Sequence, residues 1–326
     1  MVYRSRDNLQ LITGNTHPAL AKATAKTLGV KLTPVHLGKF ANGEINCYLT
    51  ESVRGCDVFV MQSHIGPDIH TAIMEQLIMI DAAKRASAHS ITAVCPFLGY
   101  ARQDRKASGR EPITTRLVID MFSVAGVDRI MSIDLHSGQS QGFFNGPFDH
   151  LIAAPVLVKY IKENFMNDEI TIVSPDAGRV KSSERYANAL ACPVAVIHKQ
   201  RVSHKKDGES EARHLIGDIE GRTCIIIDDM IDTAGTMCAA ANLLKERGAK
   251  KIYGVTTHGI FSDPAMERID KSAFSEIIVT DTLPLASKAK HKKIKVLSIA
   301  PLLASAIGAV YDGLSVSALF DGQNQM

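Results

Sequence analysis

The sequence contains neither a G-x-x-x-x-G-K-[ST] loop nor a G-x-G-x-x-G turn, which argues against a P-loop nucleotide site and a Rossmann cofactor site. Its six cysteines, Cys47, Cys56, Cys95, Cys192, Cys224 and Cys238, form no C-x-x-C pair. Several sit inside apolar runs, so reduced core thiols in a cytoplasmic protein are expected. No stretch reads as a membrane span. Residues 296–310, the most apolar late segment, are interrupted by Ser298, Pro301 and Ser305 and suit a buried strand followed by a helix. The first seven residues are polar and charged and lack the apolar core of a signal peptide. An excess of one charge is missing too: 37 Lys and Arg against 34 Asp and Glu leave a net charge of +3, too small to argue for nucleic acid. The basic cluster at 288–295 (KAKHKKIK) is expected to be a solvated loop.

With 326 residues, 45% of them hydrophobic and 22% charged, the chain has the size and composition of two ordinary soluble domains. Strand-like and helical patterns alternate. Residues 9–13, 91–96, 129–133, 170–174, 224–227 and 251–256 read as strands, and 18–28, 114–125, 155–164, 182–190 and 237–247 as helices. The expected fold class is α/β, with two similar domains built on largely parallel sheets. Between residues 34 and 62 the pattern changes to short strands with turn signals at Asn42-Gly43 and Arg54-Gly55, which suggests a projecting β-hairpin. Residues 129–134 (RIMSID) and 223–228 (TCIIID) both run apolar into Asp, a weak internal echo. It places a soft boundary between domains at 1–152 and 153–326, with no low-complexity linker to mark it.

Residues 224–236 (CIIIDDMIDTAGT) carry the most chemistry. An apolar run ends in paired carboxylates, Asp228 and Asp229, and a Thr- and Gly-rich turn then enters a helix. Backbone N–H groups at such a junction converge at the positive end of a helix dipole, so a phosphate fits among Asp232, Thr233, Ala234, Gly235 and Thr236. Two carboxylates repel a phosphate and suit neighbouring hydroxyls instead, such as the vicinal diol of a pentose. The segment reads as a ribose-5-phosphate cradle. A buried strand with an acidic turn accounts for one Asp but poorly for the whole pattern.

Other polar groups fall at strand ends, where α/β sheets gather ligands. Residues 100–106 (YARQDRK) suit a polyphosphate through Arg102 and Gln103, although by composition a solvated basic loop fits equally. His136, in Asp134-Leu135-His136, and Asp176 could hold Mg²⁺, which needs only one or two protein ligands when it bridges phosphates. Taken alone, such a histidine is more often structural. Lys199 and Arg201 precede an aperiodic segment, 202–214, which is either a plain surface loop or a mobile lid bringing positive charge to a phosphoryl-transfer transition state.

Residues 228–236 resemble the phosphoribosyl-pyrophosphate motif of the type I phosphoribosyltransferase fold. As a set, FANGE at 40–44, YARQDRK at 100–106, DLH at 134–136, SPDAG at 174–178, HKQR at 198–201 and DDMIDTAGT at 228–236 resemble the ribose-phosphate diphosphokinase (phosphoribosyl pyrophosphate synthetase) family, phosphate-activated bacterial class. The resemblance runs over residues 9–320. It implies transfer of the diphosphoryl group of ATP to the 1-hydroxyl of ribose 5-phosphate, for nucleotide biosynthesis, by two type I phosphoribosyltransferase-like domains. Residues 232–236 would hold the 5-phosphate, and Asp228 and Asp229 the ribose hydroxyls. Arg102 and Gln103 would contact ATP, His136 and Asp176 would serve Mg²⁺, and Lys199 and Arg201 would be the catalytic cations of a flexible loop. Phe40, Asn42, Gly43 and Glu44 would reach the adenine pocket of a neighbouring subunit in a homo-oligomer, expected to be a hexamer. Ser52, Arg54, Ser315, Ser317 and Phe320 match positions near a site for activating phosphate and inhibitory ADP. No membrane or nucleic-acid partner is implied. Two departures stand out: Arg179 follows Gly178 where many members have a second Gly, and Asn145 stands where many have Asp. A phosphoribosyltransferase would share the acidic loop without needing YARQDRK or HKQR, and a non-catalytic regulatory homologue would be expected to lose the lid cations or the paired acids.

Overall fold

The computed structural model describes residues 6–65, 68–201, 211–285 and 291–322, with only the main chain considered at 199–201 and 211–213. It divides into two compact units.

The first unit contains β1 (Leu9–Thr13), α1 (Pro18–Leu28), β2 (Val35–Lys39), β3 (Ile45–Leu49), β4 (Asp57–Met61), α2 (Ile69–Arg85), β5 (Ser90–Cys95), α3 (Thr114–Ala125), β6 (Arg129–Ile133) and β7 (Phe148–Leu151). Five strands form a parallel sheet in the order β1-β4-β5-β6-β7. Val58, Phe59, Val60 and Met61 of β4 are all buried, as expected where both faces of a parallel sheet are covered. Helix α1 stops at Gly29, whose φ of 76° suits the left-handed cap that glycine adopts without strain.

The second unit contains α4 (Ala154–Phe165), β8 (Ile170–Ser174), α5 (Val180–Leu190), β9 (Val194–Arg201), β10 (Glu211–Ile216), β11 (Thr223–Ile231), α6 (Gly235–Glu246), β12 (Lys251–Gly259), α7 (Ala265–Lys271), β13 (Glu276–Thr280) and β14 (Ile294–Leu297). The sheet order is β10-β9-β8-β11-β12-β13-β14, parallel except for β10. Immediately after β10, Gly217 has φ 112°, and a Cβ there would lie 2.8 Å from Ala195 Cα.

Numbering the parallel strands within each unit exposes a shared topology. In the second unit the order is 2-1-3-4-5-6, from β9 to β14. In the first, an isolated parallel bridge, Leu11 with Leu32, stands where strand 2 would be, and β1, β4, β5, β6 and β7 follow. Both sheets thus have the expected α/β architecture. The sequence echo nevertheless pairs unlike strands: RIMSI is the fifth strand of its sheet, whereas TCIII begins the third.

The division of the chain also differs from a single cut at 152. The first unit comprises Met1–Ala153, Thr282–Pro284 and Ser298–Met326, and the second Ala154–Asp281 and Leu285–Leu297. Helix α8 (Ala300–Tyr311) therefore belongs with the first unit, where it packs against α1. A Cβ on Gly308 would come within 3.5 Å of Leu28 Cδ1, and Ser63 Oγ donates to Thr282 O at 2.7 Å.

Three local expectations are corrected. The cluster at 288–295 is not wholly a loop, because Ile294 and Lys295 pair with β13 in β14. The segment expected to be aperiodic to 214 contains the start of β10, which pairs antiparallel with β9. The hairpin formed by β2 and β3 does not simply project: Val35, Leu37, Cys47 and Leu49 pack on the first unit's core, and mainly its outer face and tip are exposed.

Candidate active site

The carboxyl edge of the second sheet gathers the strongest candidate residues. Strand β11 runs on through Asp228 and Asp229 to Ile231, four residues beyond the expected end at Ile227, because it keeps its register with β12 after β8 has stopped. Free of β8 on that side, the main chain here bonds to its own carboxylates. Asp229 N–H donates to Asp228 Oδ1 and Met230 N–H to Asp229 Oδ1, each at 2.9 Å. The chain then turns through residues 232–234, with Ala234 left-handed at φ 60°, and enters α6 at Gly235. Arg268 of α7 donates from Nη1 to Thr233 O at 3.0 Å and so braces the turn. An αL residue ahead of a helix N-terminus is the concave backbone arrangement that favours anions.

Beside the acids lies the turn after β8. Asp176 Oδ1 accepts from Gly178 N–H at 2.9 Å and Ser174 Oγ donates to Asp176 O at 2.7 Å, which fixes the 3-10 turn Ala177–Arg179. Arg179 then reaches both paired carboxylates, Nε to Asp228 Oδ1 at 3.1 Å and Nη2 to Asp229 Oδ2 at 2.6 Å. Burial, followed by the neighbouring Asp229 charge, raises the pKa of the Asp228 carboxyl, and the Arg179 guanidinium opposes that rise and favours the ionised form.

In the first unit, the loop after β5 is tied down from several sides. Tyr100 is left-handed at φ 63°, and its carbonyl accepts from Gln103 N–H at 2.9 Å and Thr115 Oγ1 at 2.6 Å. Thr114 Oγ1 donates to Gln103 Oε1 at 2.5 Å, while Arg102, Arg105 and Lys106 are exposed. Sequence reasoning missed the anchor beneath this loop. Gly99 N–H donates to His64 Nδ1 at 3.0 Å, so the ring proton sits on Nε2 and faces Gln76 Oε1 at 2.6 Å. Gln76 Nε2 in turn donates to Val60 O and Val94 O, at the ends of β4 and β5. His64 is fully buried, and burial pulls its pKa down to about 4.

The other candidates are distributed as follows. His136 follows β6 in the first unit and Asp176 follows β8 in the second; each is half-buried at a carboxyl edge. Among the described residues, no group of three or more His, Cys, Asp or Glu converges as a metal cluster. The backbone of Lys199 and Arg201 lies in β9, paired with Arg213 and Glu211, and not in the flexible loop expected for these cations. Their side chains, and residues 202–210, fall outside the described residues. At the hairpin tip, Gly43 N–H donates to Phe40 O and Glu44 N–H to Asn42 Oδ1, and Phe40 is 55% exposed. Ser52, Arg54 and Ser315 are exposed and Ser317 is half-buried, all in the first unit. Phe320 is a core residue of that unit, so its side chain can shape a surface site only from beneath.

All six cysteines are free thiols. Burial pushes Cys95 and Cys224 up to about 12, which makes them inert packing groups. Among the described residues, no helix is long and apolar enough to cross a membrane.

Comparison with known proteins adds a second line of observation. Residues 9–126 match the model of the N-terminal domain of ribose phosphate pyrophosphokinase, and residues 212–321 match the phosphoribosyl synthetase-associated domain. A ribose-phosphate pyrophosphokinase of Bifidobacterium longum is 53% identical over 96% of this chain and 93% of its own length. One from Corynebacterium glutamicum is 50% identical over 98% of both chains. The crystal structure of phosphoribosylpyrophosphate synthetase from Mycobacterium smegmatis superimposes with a TM-score of 0.89 at 50% identity, covering 94% of this chain and all of that one.

Proposed function

The chain belongs to the ribose-phosphate pyrophosphokinase family, and from that premise we propose that it transfers the diphosphoryl group of ATP to the 1-hydroxyl of ribose 5-phosphate, giving 5-phosphoribosyl 1-pyrophosphate and AMP. The observation that carries this assignment is the junction from β11 to α6. There two carboxylates precede an αL turn and a helix N-terminus, which suits a diol and a phosphate joined in one small molecule. In this assignment Asp228 and Asp229 accept from the ribose hydroxyls, and residues 232–236 enclose the 5-phosphate.

Arg102 and Gln103, on the loop held by Tyr100, Thr114 and Thr115, are assigned to ATP. The reaction needs the sugar hydroxyl in line with the departing AMP oxygen, so positioning and charge neutralisation dominate. Lys199 and Arg201, at the end of β9, are assigned the stabilising charge. His136 and Asp176 are the residues that would hold Mg²⁺. Each group, at the carboxyl edge of its own sheet, suits an ion that takes most of its ligands from phosphates and water and needs only one or two from the protein. Such an ion would supply charge neutralisation on the triphosphate.

A cytoplasmic setting agrees with six unpaired thiols. Exposed Phe40 and Tyr48 on the hairpin support a homo-oligomer, proposed as a hexamer, with the adenine pocket shared between subunits. Phosphate and ADP as effectors acting near Ser52, Arg54, Ser315 and Ser317 complete the proposal. Purified protein with Mg²⁺, ATP and ribose 5-phosphate should form AMP and phosphoribosyl pyrophosphate in equal amounts by phosphorus NMR. Formation of ADP would mean transfer of the γ-phosphoryl group alone and would overturn the assignment.

A further inference from the structure

Adjacent carboxylates are a poor receptor for a diol unless something holds them apart in orientation and keeps them available as acceptors. Unbraced, two acids this close repel each other or share a proton, and the shared pair offers fewer free lone pairs. The structure contains a brace. Arg179 stands at the start of α5, at the end of a 3-10 turn fixed by Asp176 and Ser174. It presents one edge of its guanidinium to both acids, Nε to Asp228 and Nη2 to Asp229. Each carboxylate thereby accepts from a main-chain N–H and from a guanidinium N–H. The three side chains are 20%, 15% and 8% exposed, so the contact is shielded from competing water.

We infer that Arg179 is a positioning residue of the pentose site: its planar fork fixes the relative orientation of Asp228 and Asp229, so that their remaining lone pairs meet the two ribose hydroxyls. This inference rests on the assignment of those acids to the ribose hydroxyls. The opposite role, a plug that substrate must expel, is disfavoured by the chemistry. Neutral hydroxyls make weaker contacts to carboxylates than a guanidinium does, and an ionised carboxylate has about four acceptor positions, enough to serve both partners. Lysine replaces the fork only in part, because an ammonium keeps the charge but is a point charge without the paired edge.

The test is steady-state kinetics of Arg179→Gln, Arg179→Lys and Asp228→Asn beside the wild type. Arg179→Gln should raise KM for ribose 5-phosphate about tenfold or more, with kcat reduced less than about threefold and KM for ATP changed less than about twofold. Arg179→Lys should fall between Gln and wild type. An unchanged KM for ribose 5-phosphate would show the guanidinium to be idle, and a lowered one would show it to be a plug; either overturns the inference. So would a loss of kcat with both KM values intact, the mark of a merely structural residue. If Arg179→Gln does not fold, Arg179→Lys takes its place: a KM for ribose 5-phosphate raised about threefold or more is expected, and an unchanged or lowered one overturns the inference. Asp228→Asn separates the two levels: an unchanged KM for ribose 5-phosphate in that variant sinks the pentose assignment itself, whereas a raised one beside a silent Arg179 variant sinks only the brace.

Discussion

At the scale of single residues, the acid pair and the turn that follows were legible because carboxylates and hydroxylic residues crowd the end of an apolar run. Arg179 stood out only as a departure from pattern. Its role depends on a contact spanning 49 residues, which no local spacing reveals. His64 and Gln76 were missed altogether, though Gln76 left a trace: it is a polar residue on the apolar face that α2 buries with Ile73, Leu77 and Ile80. The His64 anchor has a measurable signature. Its pKa drops from the ordinary 6.5 to about 4 on folding, so between those values the unfolded chain binds a proton that the folded chain refuses. Stability from this group is complete above about pH 6.5 and falls as the pH drops toward 4, by about 3 kcal/mol in all. His64→Gln should flatten this decline relative to wild type when urea unfolding is followed between pH 4 and pH 7. Parallel pH profiles for the two proteins would refute it.

At the scale of elements, hydrophobic period located β1, α1, α3, β6 and β8 at their observed limits. It failed where pairing overrides composition. Strand β11 continues through two acids because β12 holds its backbone, and β10 is a polar strand that exists through its ladder with β9. Helix α2 was passed over despite 17 residues, a capping Asp68 and a clear apolar face. The ladder of β10 makes its own prediction. A side chain on Gly217 would meet the main chain of β9 at Ala195 and would also occupy a backbone conformation disfavoured for L-residues. Gly217→Ala should therefore cost about 2 kcal/mol or more in denaturant unfolding. A loss below about 0.5 kcal/mol would show that the edge yields.

At the scale of the whole molecule, two domains were expected from the length of the chain, from the family resemblance and from an echo that aligned a fifth strand with a third. Similar apolar composition in every buried parallel strand makes such an echo easy to find and uninformative about register. Assembly is tested at this scale. If Phe40 completes a neighbour's site, Phe40→Ala and Lys199→Ala subunits should each be weakly active alone and regain activity when mixed, because a hybrid can pair an intact hairpin with an intact cation. A fully active monomer in analytical ultracentrifugation would exclude sharing.

The return of residues 298–326 to the first unit bears on the order of events during synthesis. Translation at about 5–20 residues per second separates α1 from α8 by tens of seconds. Throughout that interval, the face of α1 that meets α8 is without its cover, although all five strands of its sheet have already been made. The second unit, whose segments all precede α8, has its full sequence first. The unit that begins first is thus completed last: its sequence is whole only when residues 298–326 have been added, after every segment of the second unit has been made.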